Sequence, residues 1–209
     1  MWKLAALPIP QKIQFHGQPA NRLIENPFPT YKGTLVQKTR QNGDPKAKVF
    51  RAAHVPAGNR DSTVLVYSYT STPPVTGGTY VVLQFKESGL YFASKGRSWY
   101  PRLVLQEGED ATKITSTADP RVFLMKPTQN SAKDFVFASC VASKQKPDDP
   151  SKARVITLSR NKDKPAVLKL EEKGPSLESQ YFKKKVARGR SRRGEQSDEC
   201  QVQEEQHRN

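Results

Sequence analysis

Histidine and cysteine are scarce in this chain of 209 residues, at three and two copies. These side chains supply many metal ligands, general bases and soft nucleophiles. His16, His54 and His207 lie far apart, and Cys140 and Cys200 show no metal-ligand spacing. Cys140 falls in an apolar run and Cys200 in a charged stretch, which reads as two free thiols rather than a disulfide framework. Other signatures of catalysis are missing as well. There is no GxSxG elbow. Gly189 and Gly194 have the gap of a phosphate-binding loop, but Glu195 stands where that loop needs lysine. The expectation is a protein that is not an enzyme and needs no metal or cofactor.

Long hydrophobic runs are lacking too. No stretch approaches the roughly 18 apolar residues of a membrane span. The opening MWKLAALPIPQKIQF is broken at Pro8 and Pro10, too soon for a secretory signal, whose apolar region needs about 7 to 15 residues. A cytoplasmic precursor is expected, and any action outside the cell implies secretion without a signal peptide. Pro8, Pro10, Pro19, Pro27 and Pro29 disfavour helix and inner strand, so residues 1–32 read as a short proline-rich leader or propiece. Residues 188–209 are polar, charged and poor in aromatics, and read as a disordered tail, basic then acidic. One domain is expected between them, over residues 33–187.

Acidic residues are few beside basic ones, 20 against 35, for a net charge of +15. The run KKKVARGRSRR at 183–193 carries seven basic residues and no acid: Lys183, Lys184, Lys185, Arg188, Arg190, Arg192 and Arg193. Residues 194–209 carry −4, which leaves +12 on residues 1–182. Such a field attracts acidic receptor surfaces, heparin-like polyanions or nucleic acid, and charge alone does not choose among them. The basic run fits a nuclear-localisation signal, a polyanion patch or a solvated tail equally well.

What the chain does contain is a series of short runs rich in β-branched and aromatic residues. They are VFRAA (49–53), TVLVYSY (63–69), TYVVLQF (79–85), LYFAS (90–94), RLVLQE (102–107), ATKIT (111–115), RVFLM (121–125), DFVFASC (134–140), ARVITL (153–158), AVLKL (166–170) and QYFKKKV (180–186). GTLVQK (33–38) opens the set, and turn-forming segments such as TPPVTGG, KESG and NKDKP separate its members. About a dozen short strands without a helical stripe predict an all-β barrel or sandwich. Period-two alternation places Val81, Leu83 and Phe85 on one face of their strand, with Gln84 and Lys86 on the other. It also sets Phe135 and Phe137 opposite Val136, Ala138 and Cys140.

The order of these runs resembles the interleukin-1 family of cytokines. The resemblance is carried by Leu90-Tyr91 and by Pro101-Arg102-Leu103-Val104-Leu105-Gln106-Glu107 in the first half. In the second half it is carried by Asp119-Pro120, Val122 to Met125, Asp134 to Ser139, Val155 to Thr157, Pro165 to Leu168 and Ser179 to Phe182. It covers about residues 33–187.

The resemblance implies a β-trefoil: about twelve short strands forming a six-stranded barrel with a hairpin cap. It implies a monomeric ligand that binds an immunoglobulin-domain receptor and then an accessory chain, triggering immune and inflammatory signalling. An antagonist of the same family shares that fold. His54 matches a position where some members place a receptor-contacting histidine, and Arg51 and Arg60 flank the same corner. Trp99 and Tyr100 stand beside Arg97 in a turn, either as binding anchors or, for Trp99, as a cap on the barrel. A basic β-barrel that binds nucleic acid is the rival reading, and it requires exposed aromatics on a strand face for base stacking.

Overall fold

In the computed structural model, residues 10–38, 48–52, 62–96, 101–129, 131–142, 153–161, 164–174 and 178–187 are described. They form thirteen strands: β1 Lys12–Phe15, β2 Ala20–Asn26, β3 Gly33–Lys38, β4 Lys48–Ala52, β5 Val64–Thr72, β6 Thr79–Phe85, β7 Tyr91–Lys95, β8 Arg102–Gln106, β9 Phe123–Thr128, β10 Ser131–Ser139, β11 Arg154–Asn161, β12 Lys164–Glu172 and β13 Lys183–Val186. The turns between them follow the local chemistry. At the predicted KESG turn, Gly89 takes φ +70°, and its amide donates to the Phe85 carbonyl at 2.9 Å.

Strand pairing shows the architecture. β2 pairs β5, β5 pairs β6, β6 pairs β9 and β9 pairs β10, all antiparallel. The ring closes through β13, which pairs β2 along Lys183–Val186 and meets β10 where Phe135 and Phe182 exchange backbone hydrogen bonds of 2.7 and 2.9 Å. These six strands are the barrel. The hairpins β3–β4, β7–β8 and β11–β12 each sit between two barrel strands in the chain. In each repeat a barrel strand pairs only briefly with the hairpin that follows it: Asn26 opposite Gly33, Gln84 opposite Tyr91, Ala138 opposite Val155. β4, β8 and β12 then pack against one another. Six barrel strands and three hairpins, in three repeats of four strands, make a β-trefoil, as the family resemblance implies.

Two cores hold it. The barrel interior contains Ile24, Val66, Val81, Leu83, Phe85, Phe123, Phe137 and Phe182, drawn from every side of the ring. Burial of each such side chain stabilises the fold by about 1.5–3 kcal/mol. The second core lies on the outer face. Tyr80 and Val82 of β6 and Val136, Ala138 and Cys140 beside them are buried there, not solvated. The predicted alternation is therefore correct, but both faces are apolar. What covers the outer face is β1, through Ile13 and Phe15, together with Ala111, Ile114 and Val122.

Three expectations need correction. Residues 1–32 are not all leader, because β1 and β2 lie within them and β2 is a barrel strand. The prolines punctuate these strands instead of preventing them. Pro10 and Pro19 precede β1 and β2, and Pro27 and Pro29 follow β2, so no ladder hydrogen bond is lost. Asn26 ties this region to the end of the chain, its amide donating to the Glu178 carbonyl at 2.7 Å. Next, ATKIT is not a strand. Asp110 caps a 3-10 turn at Ala111–Lys113 by accepting from the Thr112 amide at 2.9 Å. Last, QYFKKKV is strand only from Lys183, because Glu178–Gln180 form another 3-10 turn.

Candidate functional site

Among the described residues the barrel interior is filled with side chains, which leaves loops and strand edges as the places where a partner can be met. A shallow depression of about 200 Å³ is lined by Glu109, Asp110, Lys113, Ile114, Thr115, Ser116, Asp119 and Arg121. Two of its charged groups, Arg121 and Asp119, are engaged with each other. The Arg121 guanidinium donates to both carboxylate oxygens of Asp119 at 2.9 and 2.8 Å, reaches the Glu109 carbonyl, and lies 4.9 Å from the Tyr91 ring centre. The Asp119 carboxyl is disfavoured in its charged form by burial, but hydrogen bonds from Arg121 outweigh this and hold it below the ordinary range. Next to it, the Tyr69 hydroxyl donates to the Ala111 carbonyl at 2.6 Å. The Arg121–Asp119 pair and the Tyr69 hydroxyl thus staple the loop over the second core.

Among the described residues no group of three or more His, Cys, Asp or Glu side chains is arranged to hold a metal. Cys140 is buried, and burial pushes its thiol far above the ordinary range, which leaves it a neutral core residue. No helix among the described residues is long and apolar enough to cross a membrane.

Of the side chains singled out in sequence, His54, Arg60, Arg97, Trp99, Tyr100, Arg188, Arg190, Arg192 and Arg193 lie outside the described residues. His54 and Arg60 belong to the connection from β4 to β5, and Arg97, Trp99 and Tyr100 to the connection from β7 to β8. Arg51 is in β4, opposite Leu35 of β3.

The first three lysines of the basic run are fully placed, and they are not a loose tail. Lys183 pairs with Asp134 at 3.5 Å, and Lys185 with Glu25 at 2.6 Å. The Lys184 ammonium sits 4.4 Å from the centre of the Phe135 ring. Burial and the neighbouring Arg22 lower the pKa of Lys184. Arg22 lies on β2 opposite Val186, so it joins this cluster from a segment that sequence alone reads as leader. The signal that could have found it is NRLIEN, an apolar pair flanked by polar residues with Asn on either side.

No family model matches the chain, and no curated protein matches it. Solved structures do. Chicken interleukin-1 beta is similar at 14% identity and a TM-score of 0.57, covering 82% of this chain and 98% of its own. A point mutant of Gallus interleukin-1 reaches 16% identity and a TM-score of 0.58, covering 83% and 99%. A Caenorhabditis elegans protein of unknown function is also similar, at 8% identity and a TM-score of 0.53, covering 83% and 97%. At such identities the likeness establishes the fold, an interleukin-1-like β-trefoil.

Proposed function

We propose that the chain is a cytokine-like ligand of an immunoglobulin-domain receptor, which binds it first and an accessory chain second. The observation that carries this reading is the extent of the match: nearly the whole length of chicken interleukin-1 beta is covered by the trefoil repeat of this chain. A filled barrel suits it, since a rigid platform presents loops and strand edges to a partner and performs no chemistry. The proposed contact set is Arg51, His54 and Arg60 around the β4–β5 connection, with Arg97, Trp99 and Tyr100 between β7 and β8. Immune signalling and secretion without a signal peptide follow from the same reading.

The test is binding of the full chain to immobilised ectodomains of the family's receptors. Micromolar or tighter binding to one of them is expected, and binding to none overturns the proposal. Reporter cells bearing that receptor, treated with the chain alone and in competition with an agonist, then separate a signalling ligand from an antagonist.

A further inference from the structure

Beyond Phe182, β13 pairs on one side only. Its ladder with β2 sets Lys183 opposite Glu25 and Lys185 opposite Leu23, and the Ala187 amide donates to the Asn21 carbonyl at 3.4 Å. In an antiparallel ladder, hydrogen-bonded pairs alternate with pairs that are not bonded. Lys183, Lys185 and Ala187 therefore turn their amides and carbonyls towards β2. Phe182, Lys184 and Val186 turn theirs the other way, towards β10. Phe182 uses them, in its two hydrogen bonds with Phe135. After that pair β10 leaves the ladder. It takes four steps from Phe135 to Ser131 while β9 takes one from Pro127 to Thr128, so three residues, Ala132 to Asp134, bulge out. A continuing ladder would set Lys133 against Lys184, but the Lys133 amide donates to the Ser131 hydroxyl at 3.2 Å instead.

The amides and carbonyls of Lys184 and Val186 are thus left without a partner among the described residues. Val186 is 68% exposed, so water reaches this edge. An open edge is a template for another strand. Charge says which strand fits. Lys183 and Lys185 point to the opposite face and take Asp134 and Glu25. Lys184 shares the face of Val186, its ammonium lies 4.4 Å from the centre of the Phe135 ring, and it has no carboxylate partner among the described residues. On the bulge, Lys133 is exposed as well. A second copy of the chain is a poor occupant. Antiparallel pairing of two such edges through Lys184 and Val186 sets Lys185 directly opposite its copy, and like charges so placed repel.

We propose that the free edge of β13 binds an extended acidic segment of a partner protein as an added strand. The segment's backbone bonds to Lys184 and Val186, and its carboxylates lie beside Lys184. The lysines then have two effects at once: they keep identical edges apart and admit a strand of opposite charge. The proposal does not rest on the receptor reading. Its assay contains no receptor, so the failure of one and the failure of the other are told apart.

The experiment titrates the full chain into a labelled, end-capped hexapeptide of alternating glutamate and valine and follows fluorescence anisotropy. Val186→Pro is the decisive variant. It removes an amide that points away from β2, so the ladder to β2 keeps its bonds, and proline is tolerated on an edge whose N–H faces solvent. It also leaves the net charge of +15 unchanged, which separates the edge from the overall basic field. The expected loss is about tenfold, from one hydrogen bond and the obstruction of its neighbour. Val186→Thr keeps the amide and is expected to bind within about twofold of the parent. Lys184→Met keeps the apolar cover on Phe135 and is expected to lose about threefold. Thermal melting checks that each variant is folded. If Val186→Pro does not fold, the same peptide with every backbone amide N-methylated gives the answer on the parent chain: it keeps the charge, lacks the donors and is expected not to bind. Equal binding by parent and Val186→Pro, or of the methylated and unmethylated peptides, means that charge alone is read and overturns the proposal. No binding tighter than about 1 mM also overturns it. A parent chain that sediments as a dimer and becomes monomeric on Val186→Pro assigns the edge to a second copy and overturns the choice of partner.

Discussion

Ile13→Ala distinguishes a detachable leader from a structural strand. Ile13 is 5% exposed, in a segment that the sequence reads as leader. Its strand is held on one side by β5, with Lys12–Phe15 opposite Thr72–Tyr69. On the other side the Ile13 amide donates to the Thr115 carbonyl at 3.0 Å, and Gln11 and Thr117 bond to each other at 2.8 and 3.0 Å. The substitution removes three carbons, worth about 0.8 kcal/mol each in transfer. A partly filled cavity adds to this, so the loss is about 2–4 kcal/mol. For a domain of this size that lowers the melting temperature by roughly 5–15 °C. Because β1 has only four residues, the loss is capped by the free energy of docking the strand: once it detaches, further weakening costs nothing. Denaturant titration by tyrosine fluorescence reads the change directly, since Phe15 packs edge-on against Tyr69 at 5.9 Å and tilted against Tyr67 at 5.8 Å. A loss below about 0.5 kcal/mol, the range of a surface substitution, refutes the placement of β1 on the second core.

Phe182→Ala, at a fully buried position whose ring is 5.9 Å from Phe137, removes the side chain at the barrel closure and costs about 3–5 kcal/mol by denaturant unfolding. Amide exchange at Phe135 and at Lys183–Val186 rises with it; unchanged protection there means that the ring does not close through β13. Asp119→Asn weakens the Arg121 staple and costs about 1–3 kcal/mol at pH 7. The native Asp119 carboxyl titrates below its unfolded value, so its stabilisation is present above the unfolded pKa and is lost as the pH falls through the native pKa. The stability gap between parent and variant therefore closes in acid, and a gap that is constant with pH argues against an ionic staple.

Much of the fold is legible in the chain order of its apolar runs. DFVFASC and TYVVLQF alternate as strands must, and KESG turns the chain from β6 into β7. Less legible are the segments whose structure depends on distant partners. KIQF has four residues, too few to carry a period, and it is a strand because Thr72–Tyr69 and Thr115–Thr117 lie on either side of it. ATKIT has the composition of a strand, but Asp110 caps it into a turn, and the Tyr69 hydroxyl, 42 residues away in sequence, bonds to the Ala111 carbonyl. For the candidate surface, the basic run is visible as composition, while the pairing of Lys183 with Asp134 and of Lys185 with Glu25 is not.

By itself, then, the sequence determined the class of the fold: short β-strands in an order that resembles one cytokine family, on a chain of net charge +15. Local patterning suffices for this because alternation, turn chemistry and residue inventory are properties of neighbours along the chain. The tertiary structure alone decided that β1 and β2 belong to the fold, that the outer face of β6 and β10 is covered, and which charged side chains find partners across strands. Those depend on contacts such as Phe135 with Phe182 and Lys184 with Ile24, made between residues that only ring closure brings together.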